Sequence, residues 1–267
     1  MFNNSRIEVT RYGLHSPKVK GEVKIAHLSD LHEKEFGQGN GRLFKKVDLL
    51  KPDIIAVTGD IVAHENQKAA CGDYAVNLAR GLAAIAPSFF VTGNHERQFD
   101  HEICGAFAQS GVTVVKGGVY TMDIRGSRVN VSGIDDVSYG GVDIEKAFHV
   151  FEDMEGFNVF LTHRPEFFEM GLRRNIDLIL AGHTHAGQIR FPKFGSFFMM
   201  GQGWFPRYMQ GQFSDGETTM IISRGLGSSG YPTFRINNPP DLVLIDVAEG
   251  APPEKQIKAR RKRKSQK

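Results

Sequence analysis

Apolar residues along the chain alternate between two rhythms. Short continuous runs at 22–29, 54–58, 88–92, 159–162 and 176–180 predict strands. The run Ile54-Ile55-Ala56-Val57 reads as a strand covered on both faces. Between the runs, apolar positions recur every three or four residues. Leu43, Phe44, Val47 and Leu50 predict a helix over 41–50, stopped by Pro52. Tyr74, Val76, Leu78, Leu82 and Ile85 predict one over 73–86. Further helices are expected over 101–109, ended by Gly111, over 143–151, and over 165–172, where Pro165 suits a first-turn position. Strands are also expected at 6–14, at 112–115, 119–124 and 128–134 between glycine turns, and at 218–223 and 242–246.

The alternation of strands and helices predicts an α/β class. The later strand-glycine-strand segments argue against one doubly wound sheet. Two packed mixed sheets with helices outside fit better, in a single domain over 1–250, since neither an internal repeat nor a long linker is evident.

Composition changes this picture little, but charge does. The chain has 267 residues, of which 40% are hydrophobic and 24% charged, ordinary values for a globular protein. No apolar run reaches the roughly 18 residues of a membrane span, and the N-terminus lacks the apolar core of a secretory signal. Cys71 and Cys104 are too few for a disulfide framework and lack metal-motif spacing. A cytoplasmic location is the expectation. Residues 255–267 carry eight Lys/Arg and no acid, so the formal charge of +3 leaves residues 1–254 at −5. A mildly acidic body thus precedes a basic tail, 251–267, whose composition is that of a solvated, disordered segment. Charge alone could also hold such a tail near anionic lipid, as at the inner membrane face, or near nucleic acid. No aromatics are interleaved with it, so no specific nucleic-acid partner is expected.

Candidate chemistry gathers where the predicted strands end. Asp30 and His32 follow the strand at 22–29, Asp60 follows Gly59, and Asn94, His95 and Glu96 follow Gly93. His163 follows the strand at 159–162, and His183 and His185 follow Gly182. Strand C-termini are where α/β sheets place ligands. Each residue alone has a plain explanation, such as a cap for Asp30 or Asp60, an Asx turn for Asn94, or a hydrogen-bonded core imidazole for His163. Asp30, His32, Asp60, Asn94, His163, His183 and His185 together supply two carboxylates, one amide oxygen and four imidazoles. That set suits a divalent Mn, Fe, Zn or Ni ion better than calcium or a thiolate site.

In this order, Asp30-x-His32, Gly59-Asp60, Gly93-Asn94-His95-Glu96, His163 and Gly182-His183-Thr184-His185 resemble the signature of the calcineurin-like metallophosphoesterases. Leu28 to His32 with Phe36-Gly37, and the late Ser223-Arg-Gly-Leu-Gly227, are similar to a subgroup of small bacterial stand-alone phosphohydrolases, some relatives of which cleave the pyrophosphate of a lipid-linked nucleotide. The resemblance implies a four-layer αββα sandwich and two divalent metal ions. Asp30, His32, Asp60 and His185 would hold the first, and Asp60, Asn94, His163 and His183 the second, with Asp60 bridging. It also implies hydrolysis of a phosphomonoester, phosphodiester or pyrophosphate by a metal-bridging hydroxide. His95 would be catalytic, stabilising the transition state or protonating the leaving oxygen. Family members often read Gly-Asp-x-x-Asp, whose last Asp orients that histidine; here Ala63 stands there, and Glu65 is the nearest substitute.

Substrate choice is less constrained. The aromatic segment 191–213, with Trp204, follows His185 closely and could form a packed cover or an apolar rim for an acyl chain, a nucleobase or a membrane, with the tail cooperating. Arg164, Lys193, Arg207 and Arg224 are candidate cations for a non-reacting phosphate. Two other readings compete with a lipid-linked or nucleotide phosphohydrolase: an inactive scaffold of the same fold, which the complete ligand set opposes, and a nuclease, which the acidic body opposes.

Overall fold

The computed structural model describes residues 5–63, 68–187, 198–199, 203–204, 207–228 and 235–251. In chain order the first half gives β1 (Glu8–Ser16), β2 (Glu22–Leu28), α1 (Gly41–Leu50), β3 (Ile54–Thr58), α2 (Lys68–Ala83), β4 (Ser88–Val91), α3 (Asp100–Gln109) and β5 (Thr113–Val114). Then come β6 (Tyr120–Ile124), β7 (Ser127–Gly133), α4 (Ile144–Phe148), β8 (Phe157–Leu161), α5 (Phe168–Gly171) and β9 (Leu178–Ala181). The two-residue strands β10 (Phe198–Met199) and β11 (Gly203–Trp204) precede β12 (Gly211–Ser214), β13 (Thr219–Ile222) and β14 (Asp241–Glu249).

The strands form two six-stranded mixed sheets, in the orders β1-β14-β2-β3-β4-β5 and β12-β13-β9-β8-β7-β6. Period-two burial explains why they stack. In β3, Ile54 and Ala56 face the second sheet, where they meet Val159, Leu161, Leu178 and Leu180. Ile55 and Val57 face the other way, onto Leu43 and Val47 of α1, Leu78 and Leu82 of α2, and Ile103 and Phe107 of α3. The second sheet repeats the arrangement, its outer residues Phe160, Ile179 and Met220 packing on Phe148 of α4 and Phe168 of α5. The result is the expected four layers, αββα.

Several boundaries move. The second helix starts at Lys68, five residues before the expected 73. The helix expected over 143–151 ends at Phe148, although Phe151 stays fully buried in the turn that follows. The one expected over 165–172 divides into a 3-10 turn, Pro165–Phe167, and α5. The strand β12 had no counterpart in the sequence reading. It is a sheet edge with only partial burial, so its apolar pattern is weak. No described helix is long and apolar enough to cross a membrane.

The parallel pairings β2–β3–β4 and β7–β8–β9–β13 give these strands common directions within each sheet. Their C-terminal ends meet across the sandwich, where Nδ1 of His163, just beyond β8, donates to the carbonyl of Thr58 in β3 at 2.7 Å. The polar strand exits of both sheets therefore converge on one edge.

Candidate metal centre

The backbone at these exits turns back on itself. Asp30, His32, Asp60, His183 and His185 all have φ between 47° and 71°. Side chains other than glycine rarely adopt this left-handed region, and residues held there concentrate at functional sites. Cross-strand hydrogen bonds hold the turns: Asp30 N to Gly59 O at 2.9 Å and His32 N to Asp60 O at 3.0 Å. The Asp30 carboxylate accepts from His183 N at 3.1 Å, joining the two sheets. Two glycines make the approach feasible. A Cβ at Gly182 would fall 1.9 Å from Ser29 Oγ, and one at Gly93 would fall 2.3 Å from Asp60 Oδ1.

Two groups of side chains result, each with its donor atoms within 4.8 Å of one another: Asp30, His32, Asp60 and His185, and Asp60, His163 and His183. Asp60 belongs to both. In the first, Nε2 of His32 and Nε2 of His185 are 3.0 Å apart, and His185 Nε2 is 3.4 Å from Asp30 Oδ1. In the second, His163 Nε2 is 3.2 Å from Asp60 Oδ2 and 3.1 Å from His183 Nδ1. Asn94, which precedes His95, has a buried amide oxygen with no hydrogen-bond partner among the described residues. His95 sits beside the cluster. Its backbone N–H donates to Asp60 Oδ1 at 3.0 Å, and its ring meets His32 edge-on with centroids 4.6 Å apart. Asp30, His32, Asp60, His95, His163, His183 and His185 are therefore at one place, with Asn94 next to His95 in the chain.

Electrostatics prepares the cluster for cations. Burial pushes His32 and His183 down to about 3 and His185 well below its ordinary value, so these imidazoles are neutral with lone pairs available. Burial alone would also lower His163, but the adjacent Asp60 carboxylate lifts it to about 10. Burial would raise Asp60, yet charged, hydrogen-bonded His163 holds it well below the usual range. Burial pushes Asp30 up to about 6 against the pull of His163. The Thr58 carbonyl fixes a hydrogen on His163 Nδ1, so the proton directed at Asp60 sits on Nε2, and a cation would have to displace it to take a ligand bond there. Acceptor atoms crowded this closely, with an orphaned amide oxygen on the residue before His95, fit divalent cations held by nitrogen and oxygen donors.

Three supporting residues escaped the sequence reading. Glu96, quoted only as part of a motif, is fully buried and accepts from the backbone N–H groups of Asp60 (2.9 Å), Ile61 (2.7 Å), Val62 (3.2 Å) and Gly93 (2.6 Å). It ties the Asp60 and Asn94 turns together, and its place three residues after Gly93 was the available signal. Arg235, 1% exposed, donates to the carbonyls of Gly227 and Arg224 and to His185 Nδ1 at 3.1 Å. Asn238 donates to the His185 carbonyl at 2.7 Å. Neither stands in a local pattern that marks it.

The candidate phosphate cations separate. Arg224 is committed to Asp241 and Glu8, at 3.0 and 2.7 Å, which corrects its reading as a free anion binder. Arg207 is 72% exposed and paired with Glu169. Lys193 and Glu65 lie outside the described residues, as does most of the aromatic segment. Tyr208 at its end is buried between Phe168 and Phe213, a packing contact. Arg164 lies next to the cluster, with Nη1 3.5 Å from His183 Nε2.

Comparison with known proteins agrees with this geometry. The family model for calcineurin-like phosphoesterases matches residues 23–187. The uncharacterised metallophosphoesterase YkuE of Bacillus subtilis is 28% identical over 257 residues, covering 90% of this chain and 85% of that protein. The phosphodiesterase YaeI of Escherichia coli is 28% identical over 238 residues, covering 84% and 82%. A solved Thermus thermophilus structure superposes with a TM-score of 0.51 at 15% identity, covering 76% of this chain and 90% of its own, and so shares the fold. With more than half of its length matched by that family and the ligand-type residues converging on one strand edge, the chain belongs to the calcineurin-like phosphoesterases and is a metal-dependent phosphoesterase.

Proposed function

We propose that this chain hydrolyses a phosphodiester or pyrophosphate bond at a two-cation site whose halves share Asp60. The observation that carries this reading is the membership of Asp60 in both donor groups. Asp30, His32, Asp60 and His185 would hold one cation, and Asp60, Asn94, His163 and His183 the other. Bound there, two divalent cations would offset the charge of the ester and acidify a water to give a nucleophile near neutral pH. Asp60 sets the spacing of the two halves, and the His163–Thr58 hydrogen bond keeps that imidazole aimed inward. His95, with Nε2 3.9 Å from Asp60 Oδ2 and its side chain 13% exposed, stands between the buried donors and solvent. From there its ring can deliver a proton to the departing oxygen.

The named activity of the Escherichia coli relative supports a diester. Lipid-linked and nucleotide phosphates are the substrate classes we favour, because the aromatic stretch 191–213 follows His185 in sequence. We further propose that residues 1–250 form the catalytic unit and 251–267 a tether to anionic membrane. Strand β14 pairs antiparallel with β2, which runs toward Asp30, so the chain leaves the sheet at the end away from the metal ligands. Tail and aromatic stretch thus start from opposite ends, which argues against their acting at one rim. Flotation with anionic liposomes should weaken on removing 255–267; equal flotation would sink the tether. The hydrolysis reading is tested with bis(p-nitrophenyl) phosphate. Turnover should require Mn, Fe, Zn or Ni and cease with chelator, whereas turnover in chelator would refute it.

A further inference from the structure

We propose that Arg164 binds a non-bridging oxygen of the substrate phosphate, and that Asp136 is the buried positioning residue that aims it. The inference rests on the phosphohydrolase reading above.

The guanidinium is pinned along one edge. Nε donates to Asp136 Oδ2 at 2.7 Å and Nη2 to Oδ1 at 3.1 Å, the two-pronged geometry that fixes the plane of an arginine. Asp136 is itself immobile. It is 2% exposed, its Oδ1 accepts from Ser138 N at 2.9 Å, and its own N–H reaches Thr92 Oγ1 at 3.3 Å. A buried carboxylate so held serves to orient its partner.

The opposite edge is different. Nη1 faces His183 Nε2 at 3.5 Å and Glu166 Oε1 at 3.6 Å, both too long for a strong hydrogen bond. The Glu166 side chain is 39% exposed, so its ion pair is screened by solvent. The imidazole contact is also conditional. If His183 binds a cation through Nδ1, its ring hydrogen must sit on Nε2, and two donors then face each other. Nη1 then keeps only the long ion pair to Glu166 and can take a closer oxygen acceptor beside the second donor group. The Arg164 side chain is 20% exposed, so a ligand can reach it. An ester phosphate placed against the cluster presents such an oxygen. A purely structural role would need only the Asp136 edge.

The test uses the full chain loaded with Mn and compares Arg164→Ala, Arg164→Lys and Asp136→Asn with wild type. Metal equivalents, thermal midpoint, the Kd for inorganic phosphate by calorimetry, and KM and kcat for bis(p-nitrophenyl) phosphate are measured. Arg164→Ala should keep both metals while raising KM and the phosphate Kd roughly 10- to 100-fold. Arg164→Lys should recover part of that loss, and Asp136→Asn should weaken phosphate binding with Arg164 still present. Unchanged phosphate affinity in Arg164→Ala overturns the proposal. Should that variant fail to fold, Arg164→Lys decides, since wild-type KM and phosphate affinity in it would equally overturn the inference. A wild-type chain that binds no metal and hydrolyses nothing would instead sink the phosphohydrolase reading, a distinct failure.

Discussion

Nε2 of His32 and Nε2 of His185 lie 3.0 Å apart, although the residues are separated by 153 positions and lie beyond strands of different sheets. Their rings stack with centroids 4.9 Å apart, and both imidazoles are kept neutral chiefly by burial. Bringing two lone-pair nitrogens this close in a dry interior has little use without a shared cation or proton. The left-handed backbone at both residues shows that the fold accepts local strain to achieve it.

His95 touches His32 of this pair without belonging to either donor group. His95→Ala should therefore keep both metals and lower kcat by roughly 100- to 10,000-fold. Metal analysis beside steady-state kinetics checks it, and full turnover in the variant would remove His95 from the chemistry.

Glu96 carries a structural load next to the site. Replacing it by Gln turns one of its two acceptor oxygens into a donor facing backbone N–H groups. Glu96→Gln should cost roughly 2–3 kcal/mol in urea unfolding and weaken metal retention. Wild-type stability would show that the four backbone contacts do not matter.

Stability of the metal-free protein should peak near pH 6.5. His27, His32 and His183 are pushed by burial to about 3, and His185 is lowered too. The unfolded chain protonates these near 6.5, so it binds more protons than the folded state and stability falls toward acid. Asp30 and Glu96, raised by burial to about 6 and about 7, act in the opposite direction but are two against four. On the alkaline side His163, held at about 10 by Asp60 despite burial, gives a contribution complete below pH 6.5 and lost as pH rises through 10. Lys34, lowered to about 8 by burial, flattens the curve above that pH. Thermal scans in chelator from pH 5 to 8 should show the maximum; a steady rise across the range would contradict it.

The strand exits were legible because two signals coincide in sequence, a buried apolar run and an abrupt metal-binding residue type. Asp30, Asp60, His163 and His183 each follow such a run, and the layers follow from period-two alternation. Pairing of exits from different sheets, as between His163 and Thr58, is a tertiary fact with no local trace. Arg235 and Asn238 follow no buried run and sit 50 and 53 positions from His185, so only folding reveals their contact. The strand β12 was hidden because an edge strand buries too little to impose a strong pattern. Arg164 was visible only as one of four cations; Asp136 distinguishes it.

Metal stoichiometry is the sharpest check on two cations sharing Asp60. Mass-spectrometric metal analysis of the loaded protein should give two equivalents for wild type. It should give one for His183→Ala and one for His185→Ala, with affinity at the damaged half falling by more than the roughly 10- to 100-fold typical of groups that only support ligands. Asp60→Ala should retain none. An Asp60→Ala protein that folds and still holds a full equivalent would contradict a site whose two halves share that carboxylate.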